Sequence, residues 1–414
     1  MRAVAFRTLV PLGVAAAMLL SACGSSDKSA SSSDTIKVGA ILDVSDGWTS
    51  LGKQGQAALK QAADEYKAKT GKTVEIKVID SAGDAKKAAA GVTTLADEGY
   101  KVIIGPGGSA AAQLAEPVAT KRGVVLISPG STSSLLAKSG DSLLRFIPDD
   151  RVEAKATVAL MEKAGVQELV PVWRKDLGNE GLHASVTAAF AALRGPTSVS
   201  PGVSYSDTKT TGFDQTAAAV SAAVKTASAK GKTAVYLAGF GEASGIVSAA
   251  SAPATTVTWY GGDGLVGDDS FTKDSKVAAA TEALCLPSPQ FGLATADKSK
   301  WEPVLASLAK ANGGQSDAFG VIAYDASNVA ISTLAGSGSG KSGQELTDAV
   351  VATANSTDGA SGSLALDSSG DRKTGPYDYW QVTGAATAAK WAVTGGWEPA
   401  GGQLGTVLKS PTCP

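Results

Sequence analysis

Histidine is almost missing from this chain. His183 is the only one in 414 residues, which excludes metal sites built on two histidines. A Ser-His-Asp triad would have to recruit His183, and no G-x-S-x-G elbow is present to carry its serine. His183 falls in the helical run Gly181–Leu193 and reads as a solvated surface residue. Charge is sparse as well: charged residues make up 18%, the net charge is −2, and there is no large basic block. That argues against nucleic acid as the main partner. Cysteine is limited to three residues, and neither Cys285 nor Cys413 has a neighbour at metal-ligand spacing, so no metal and no cofactor is expected. Beyond the N-terminal region no stretch approaches the roughly 20 apolar residues of a membrane span.

The 414 residues suffice for two domains with real cores, and an apolar content of 43% favours folding over disorder. The N-terminus reads as a targeting segment. Arg2 and Arg7 precede an apolar run from Leu9 to Leu20, followed by Leu20-Ser21-Ala22-Cys23-Gly24. This resembles the lipobox of bacterial lipoproteins. The resemblance implies a signal peptide over 1–22, diacylation of Cys23 after cleavage, and a Ser-rich tether over 23–34. The chain would be extracytoplasmic, in the cell envelope, and held to the membrane by its lipid. The alternative is an ordinary secretory signal that happens to carry a cysteine. In an exported chain the two remaining thiols favour a Cys285–Cys413 disulfide tying down the C-terminal tail; two buried free thiols are the alternative.

After the tether, strands and helices alternate. Ile36–Leu42, Val74–Ile79, Val102–Ile104, Val124–Ile127, Leu169–Trp173, Ala234–Ala238 and Val257–Tyr260 read as strands. Gln54–Thr70, Ala85–Glu98, Arg151–Ala164, Asn179–Leu193, Phe213–Ser228, Trp301–Ala311 and Ala318–Leu334 read as helices, with Asp84 as an N-cap. Arg145-Phe146-Ile147-Pro148 reads as a connector, and the tail from Ser363 as strand-rich. Such alternation predicts an α/β fold with parallel sheets covered by helices. The number of βα units predicts two doubly wound lobes rather than one sheet. Crossings are expected near 146–150, 285–290 and 363–370.

Several glycine-rich segments mimic phosphate loops. Gly105-Pro106-Gly107-Gly108-Ser109-Ala110 and Gly262-Asp263-Gly264-Leu265-Val266-Gly267 both fit G-x-G-x-x-G/A. The first lacks the acidic residue about 20 positions on, because the next strand ends in Ser128-Pro129. The second places a carboxylate inside the loop, where it would repel a pyrophosphate. Ala335–Ser342 matches a relaxed P-loop but follows a helical run, so it reads as a flexible connector. What remains is a set of ligand-holding groups at strand ends. Ser109 opens a helix, whose N-terminus suits a carboxylate. Thr132 closes the next strand turn. Asp263, beyond the strand Val257–Tyr260, is placed to receive an ammonium, or else merely caps a turn.

With these residues in view, the chain resembles the type I periplasmic binding proteins of the branched-chain amino acid ABC-transporter group, in lipoprotein form. The resemblance rests on Ile36–Ala40, the loop Ser45–Gly52, Val102–Gly105 with Ser109, Leu126–Thr132, Asn179–Leu182 and Asp367–Tyr379. It implies two Rossmann-like lobes joined by three hinge crossovers: lobe 1 from 35–147 and 287–365, lobe 2 from 148–286 and 366–414. It implies capture of a small ligand, an amino acid, amide or related compound, and delivery to an ABC permease and ATPase. Ser109, the Gly130 backbone and Thr132 would hold the ligand carboxylate, Asp263 its ammonium, and Phe240 would cover it from lobe 2. Gly108 would face the pocket.

The chain also departs from the family pattern. Leu51 and Gly178 stand where the family often has aromatics, and Asp263 is shorter than the usual Glu. Trp48 and Trp173 either refill the lost walls or belong to ordinary packing. The expected activity is binding, not catalysis. The same fold could equally serve a sensor lipoprotein signalling to a membrane partner. An exported hydrolase is the reading that the lone histidine disfavours most.

Overall fold

The computed structural model describes residues 35–45, 48–313, 316–385, 387–400 and 402–413. The expected signal peptide, Cys23 and the expected tether lie outside the described residues. From Thr35 onward the chain forms one compact unit.

The first half opens with β1 (Thr35–Leu42), α1 (Thr49–Thr70), β2 (Thr73–Asp80) and α2 (Ala85–Asp97). It continues with β3 (Val102–Ile104), α3 (Ser109–Arg122), β4 (Val125–Ser128), β5 (Leu143–Pro148) and α4 (Asp150–Lys163). Local signals explain the helix ends. The Asp84 carboxylate accepts from Lys86 N–H and Lys87 N–H, as expected of that N-cap, and α1 and α3 stop at Gly71 and Gly123 in the left-handed conformation. The chain then runs through β6 (Glu168–Arg174), α5 (Leu177–Arg194), β7 (Val203–Tyr205), α6 (Asp214–Ser228), β8 (Thr233–Ala238), α7 (Ser244–Ala249), β9 (Thr258–Gly261) and α8 (Ser275–Ala283). It closes with β10 (Ser288–Phe291), α9 (Lys298–Ala311), α10 (Ala318–Ala335), α11 (Gly343–Asn355), β11 (Asp358–Gly359), β12 (Gly362–Ser363), β13 (Asp371–Arg372), β14 (Tyr377–Thr383), β15 (Lys390–Glu398) and β16 (Thr406–Lys409).

Two parallel sheets result. The first has the order β13-β5-β4-β3-β1-β2 and the second β7-β6-β8-β9. An antiparallel sheet, β10-β14-β15-β16, gathers the tail. The chain leaves the first sheet after β5, comes back to its helical cover after β10, and leaves it again past β13. The central strands are apolar without alternation, as burial on both faces requires: Val102, Ile103 and Ile104 are fully buried, as are Val125, Leu126 and Ile127. α10 is the most apolar helix of the cover; it lies along α1 and against β1 and β3, buried on most of its surface. It is a core helix, although its 18 residues match a membrane span in length and composition.

Two readings of the sequence change. Arg145–Pro148 is not just a connector: it belongs to β5, paired with both β4 and β13. Its side chains gave no alternation because every residue of β5 is buried. His183 is half-buried rather than solvated, its ring stacked on Trp173 with centroids 3.8 Å apart. The Cys285–Cys413 disulfide is present and joins positions 128 residues apart. Cys285 and Leu286 both have positive φ (72° and 37°), and the Gln381 amide donates to the Cys285 carbonyl at 2.8 Å, holding that turn.

Candidate functional site

The order of the first sheet reverses beside β1, where β2 lies on one side and β3 on the other; in open parallel sheets this is the place where ligands bind, outside the C-terminal strand ends. Three loops meet there. After β1, the turn carrying Trp48 and Leu51 enters α1. After β3, Gly105 turns with φ +95°; a Cβ at that position would stand 2.1 Å from the Ile41 carbonyl oxygen. After β4, Ser128 folds back, its hydroxyl donating to the Pro106 carbonyl at 2.6 Å while accepting from Ser131 N–H at 3.0 Å.

Glycine lets these loops approach. A Cβ on either Gly107 or Gly130 would lie 2.6 Å from Leu51 Cδ2, and one on Gly130 would lie 3.0 Å from the Trp48 ring. Leu51 is therefore the buried floor beneath both strand ends. Trp48 lies beside it, packed edge-to-face on Phe319 with centroids 5.0 Å apart. Gly108 caps α3, and a Cβ there would meet nothing within 4 Å, so this position borders open space.

The hydroxyl groups above this floor form one network. Ser109 Oγ accepts from Ser133 N–H and from the Ser131 hydroxyl, each at 3.2 Å. The Ser133 hydroxyl donates to the Leu177 carbonyl at 2.8 Å, and Ser134 Oγ reaches the Gly181 carbonyl at 3.3 Å. These bonds join the loop after β4 to the first turn of α5. Small residues permit the contact: a Cβ on Gly178 would lie 4.0 Å from Ser109 Oγ, and one on Gly181 would lie 2.4 Å from Ser133 Oγ.

An acidic group stands beside the hydroxyls. Asp150 and Glu153, on the first turn of α4, are 0% and 1% exposed. Asp150 N–H donates to the Thr132 carbonyl at 2.9 Å, and its Oδ2 accepts from Ser134 N–H at 3.1 Å. Glu153 Oε1 accepts from Asp263 N–H at 3.1 Å. Thr132 and Asp263, distant in sequence, are thus brought together through Asp150 and Glu153. Burial raises the Asp263 carboxyl to about 6. Burial first, and then the Asp263 charge, push Asp150 and Glu153 well above the usual carboxylate range. The sequence reading missed this pair, because acidic residues in a first helical turn ordinarily complement the helix dipole.

Phe240 lies on the rim. It is 41% exposed, and a Cβ on Gly264 would stand 3.0 Å from its ring, so it rests against the loop of Asp263. The Arg174 guanidinium lies 5.3 Å from its centroid and pairs with Asp176 at 3.1 Å and Glu242 at 3.4 Å. Trp173 meets His183 and Gly202 instead of the hydroxyl network. On the outer face of α1 and α9 a separate open groove of about 630 Å3 is lined by Lys53, Gln56, Lys60 and Asn312. It contains none of the strand-end residues.

A family model described as the receptor family ligand binding region matches residues 54–385, and the chain belongs to that family. Among solved structures, a leucine binding protein from Thermotoga maritima superposes with a TM-score of 0.70 at 19% identity, covering 86% of this chain and 98% of that one. A branched-chain amino acid transporter substrate binding protein from Streptococcus pneumoniae, in complex with isoleucine, gives 0.66 at 21% identity, covering 87% and 99%. An ABC-transporter solute binding protein from R. palustris, in complex with benzoate, gives 0.67 at 18% identity, covering 92% and 99%. The fold is that of the type I periplasmic binding proteins. An uncharacterised protein of Methanocaldococcus jannaschii is 22% identical, covering 91% of this chain and 93% of the relative.

Proposed function

We propose that this chain is an extracytoplasmic solute-binding protein, anchored through lipid on Cys23, that captures a small amino-acid-like ligand between two lobes and delivers it to an ABC importer. The observation that carries this reading is the meeting of Thr132 and Asp263 across the first turn of α4, where Asp150 N–H donates to the Thr132 carbonyl and Glu153 accepts from Asp263 N–H. Hydroxyls and a helix N-terminus on one side, and a carboxylate on the other, suit the two ends of a zwitterion.

The lobes are taken as 35–147 with 287–365, and 148–286 with 366–414. Ser109, the Gly130 backbone and Thr132 hold the ligand carboxylate, beside the open edge at Gly108. Asp263 receives the ammonium. Trp48 and Leu51 wall the far end, and Phe240 covers the ligand from lobe 2. The Ser133 hydroxyl bonds across the lobes to the Leu177 carbonyl, while Ser109 Oγ accepts from Ser131 and Ser133 within lobe 1, and a ligand carboxylate takes over the Ser109 contact. The mechanism is capture: closure buries charge-assisted hydrogen bonds and alters the outer surface that a permease reads. Signalling to a membrane partner is a second reading, favoured by the receptor description of the family. Permease and ATPase genes beside this one would select transport.

A thermal-shift screen of the mature chain against amino acids, amides and aromatic acids tests the proposal. A ligand raises Tm with the logarithm of its concentration over Kd. A rise confined to compounds with an amine and a carboxylate is expected; hydrolysis of a screened compound would overturn it.

A further inference from the structure

The acidic group at the start of α4 contains more charge than one ammonium requires. Asp150 Oδ1 and Glu153 Oε2 are buried and have no hydrogen-bond partner, although the other oxygen of each carboxylate is bonded. The Tyr236 hydroxyl, from β8, is 0% exposed and is likewise unpartnered. It lies at the same place: a Cβ on Gly262, next to Asp263, would stand 3.2 Å from that hydroxyl. Among the described residues no Lys or Arg forms an ion pair with Asp150, Glu153 or Asp263. The nearby Arg151 is bound to Asp149 instead. Two glycines let the backbone of α5 and of the Asp263 loop pack closely here, since a Cβ on Gly181 would approach Asp150 Oδ2 to 2.7 Å and one on Gly262 would approach Leu182 Cδ2 to the same distance.

Unpaired carboxylates in a dry interior are costly, and folded proteins rarely leave buried acceptors unmet. Where such acceptors converge on a ligand cleft, the missing partner is a donor that arrives with the ligand. We propose that Asp150 Oδ1, Glu153 Oε2 and the Tyr236 hydroxyl, with Asp263, form a subsite for a cationic group, so that the chain takes ligands of net positive charge: basic amino acids or amines with a guanidinium or second ammonium. A planar guanidinium offers five donors and matches several separated oxygens at once. This rests on the cleft reading above, and it adds a ligand class that the leucine- and benzoate-type matches do not suggest. Burial first, and then the Asp263 charge, shift both carboxyls toward the protonated form; Tyr236 and Tyr377 face the same charges. A cation entering therefore displaces protons.

Calorimetry of the mature chain with arginine, lysine and agmatine, against citrulline and leucine, tests this. Citrulline matches arginine in shape but lacks the charge, and agmatine lacks the carboxylate. Arginine or lysine is expected to bind at least about tenfold more tightly than citrulline, a difference of about 1.4 kcal/mol. Titration in buffers of different ionisation enthalpy should show proton release. Glu153→Gln and, separately, Asp150→Asn should erase most of that preference, lowering arginine and lysine affinity by a larger factor than leucine affinity. Tyr236→Phe, which alters no charge, should weaken the cation and keep the preference should the carboxylate variants fail to fold. Equal binding of citrulline, no binding of any cation, or a preference untouched in Glu153→Gln would each overturn the subsite. Agmatine binding that survives Ser109→Ala with Thr132→Ala would uphold both the subsite and the carboxylate assignment, whereas arginine binding untouched by that double variant would uphold the subsite and sink the carboxylate assignment.

Discussion

Arg145 grips Asp371 with both hands of its guanidinium: Nε and Nη2 each donate to a separate carboxylate oxygen at 2.6 Å, and both side chains are buried. The pair ties β5 to β13, the strands at which the chain leaves the first sheet. The remaining nitrogen, Nη1, donates to the Ser133 carbonyl at 2.6 Å, so the same residue supports the loop that carries Thr132. Removing one partner of a buried pair costs about 3–5 kcal/mol, because the other charge is stranded. Asp371→Asn and Arg145→Met should each lower unfolding free energy by that order in urea titration. Arg145→Met should also weaken ligand binding, since the loop loses its brace.

Gly130 has no room for a methyl group. Gly130→Ala would push Leu51 Cδ2 and the Trp48 ring, 2.6 and 3.0 Å away. Overpacking of this kind costs about 1–3 kcal/mol. Loss of affinity together with that destabilisation is expected, and Leu51→Ala in the same chain should restore part of both.

His183 should make the fold acid-sensitive. Burial against Trp173 lowers its imidazole from 6.5 to about 4. The folded state favours the neutral ring, so between these values the unfolded chain binds more protons. The stability this neutral ring allows is present above pH 6.5 and is lost as pH falls toward 4. His183→Phe keeps the stack and removes the titration. Its stability should fall less than that of the wild type over this window in denaturant melts at graded pH.

The disulfide fixes the tail. Closing a loop of 128 residues removes chain entropy worth about 4–5 kcal/mol in the simple model. Cys285→Ala with Cys413→Ala should lower Tm markedly yet leave ligand affinity near that of the wild type, because the bridge lies at the tail sheet, away from Ser109 and Thr132.

Much of this architecture was legible in the sequence. Strand–helix alternation announced parallel sheets, Asp84 announced a cap, and two spare cysteines behind an export-like N-terminal sequence announced their bridge. Short, fully buried segments were not legible. β5 looked like a connector because burial on every side erases the period-2 pattern that marks a strand. α8 is only nine residues long and rich in alanine, with weak periodicity. At the site, Ser109, Thr132 and Asp263 stood out because they follow strands. Asp150 and Glu153 did not, since only tertiary burial distinguishes them from ordinary residues at a helix start. His183 was misread for the same reason: its partner, Trp173, lies on another element.

The central claim is that Ser109 and Thr132 hold one end of a zwitterion whose other end meets Asp263. Calorimetry of the best ligand from the screen, titrated into the wild type, Ser109→Ala with Thr132→Ala, and Asp263→Asn, tests it most directly. Loss of a charge-assisted contact is worth about 1.5–3 kcal/mol, so each variant should lose roughly ten- to a hundredfold in affinity. Asp263→Asn should spare analogues without the amine, and the double variant should spare analogues without the carboxylate. Unchanged affinity in both variants would contradict the account.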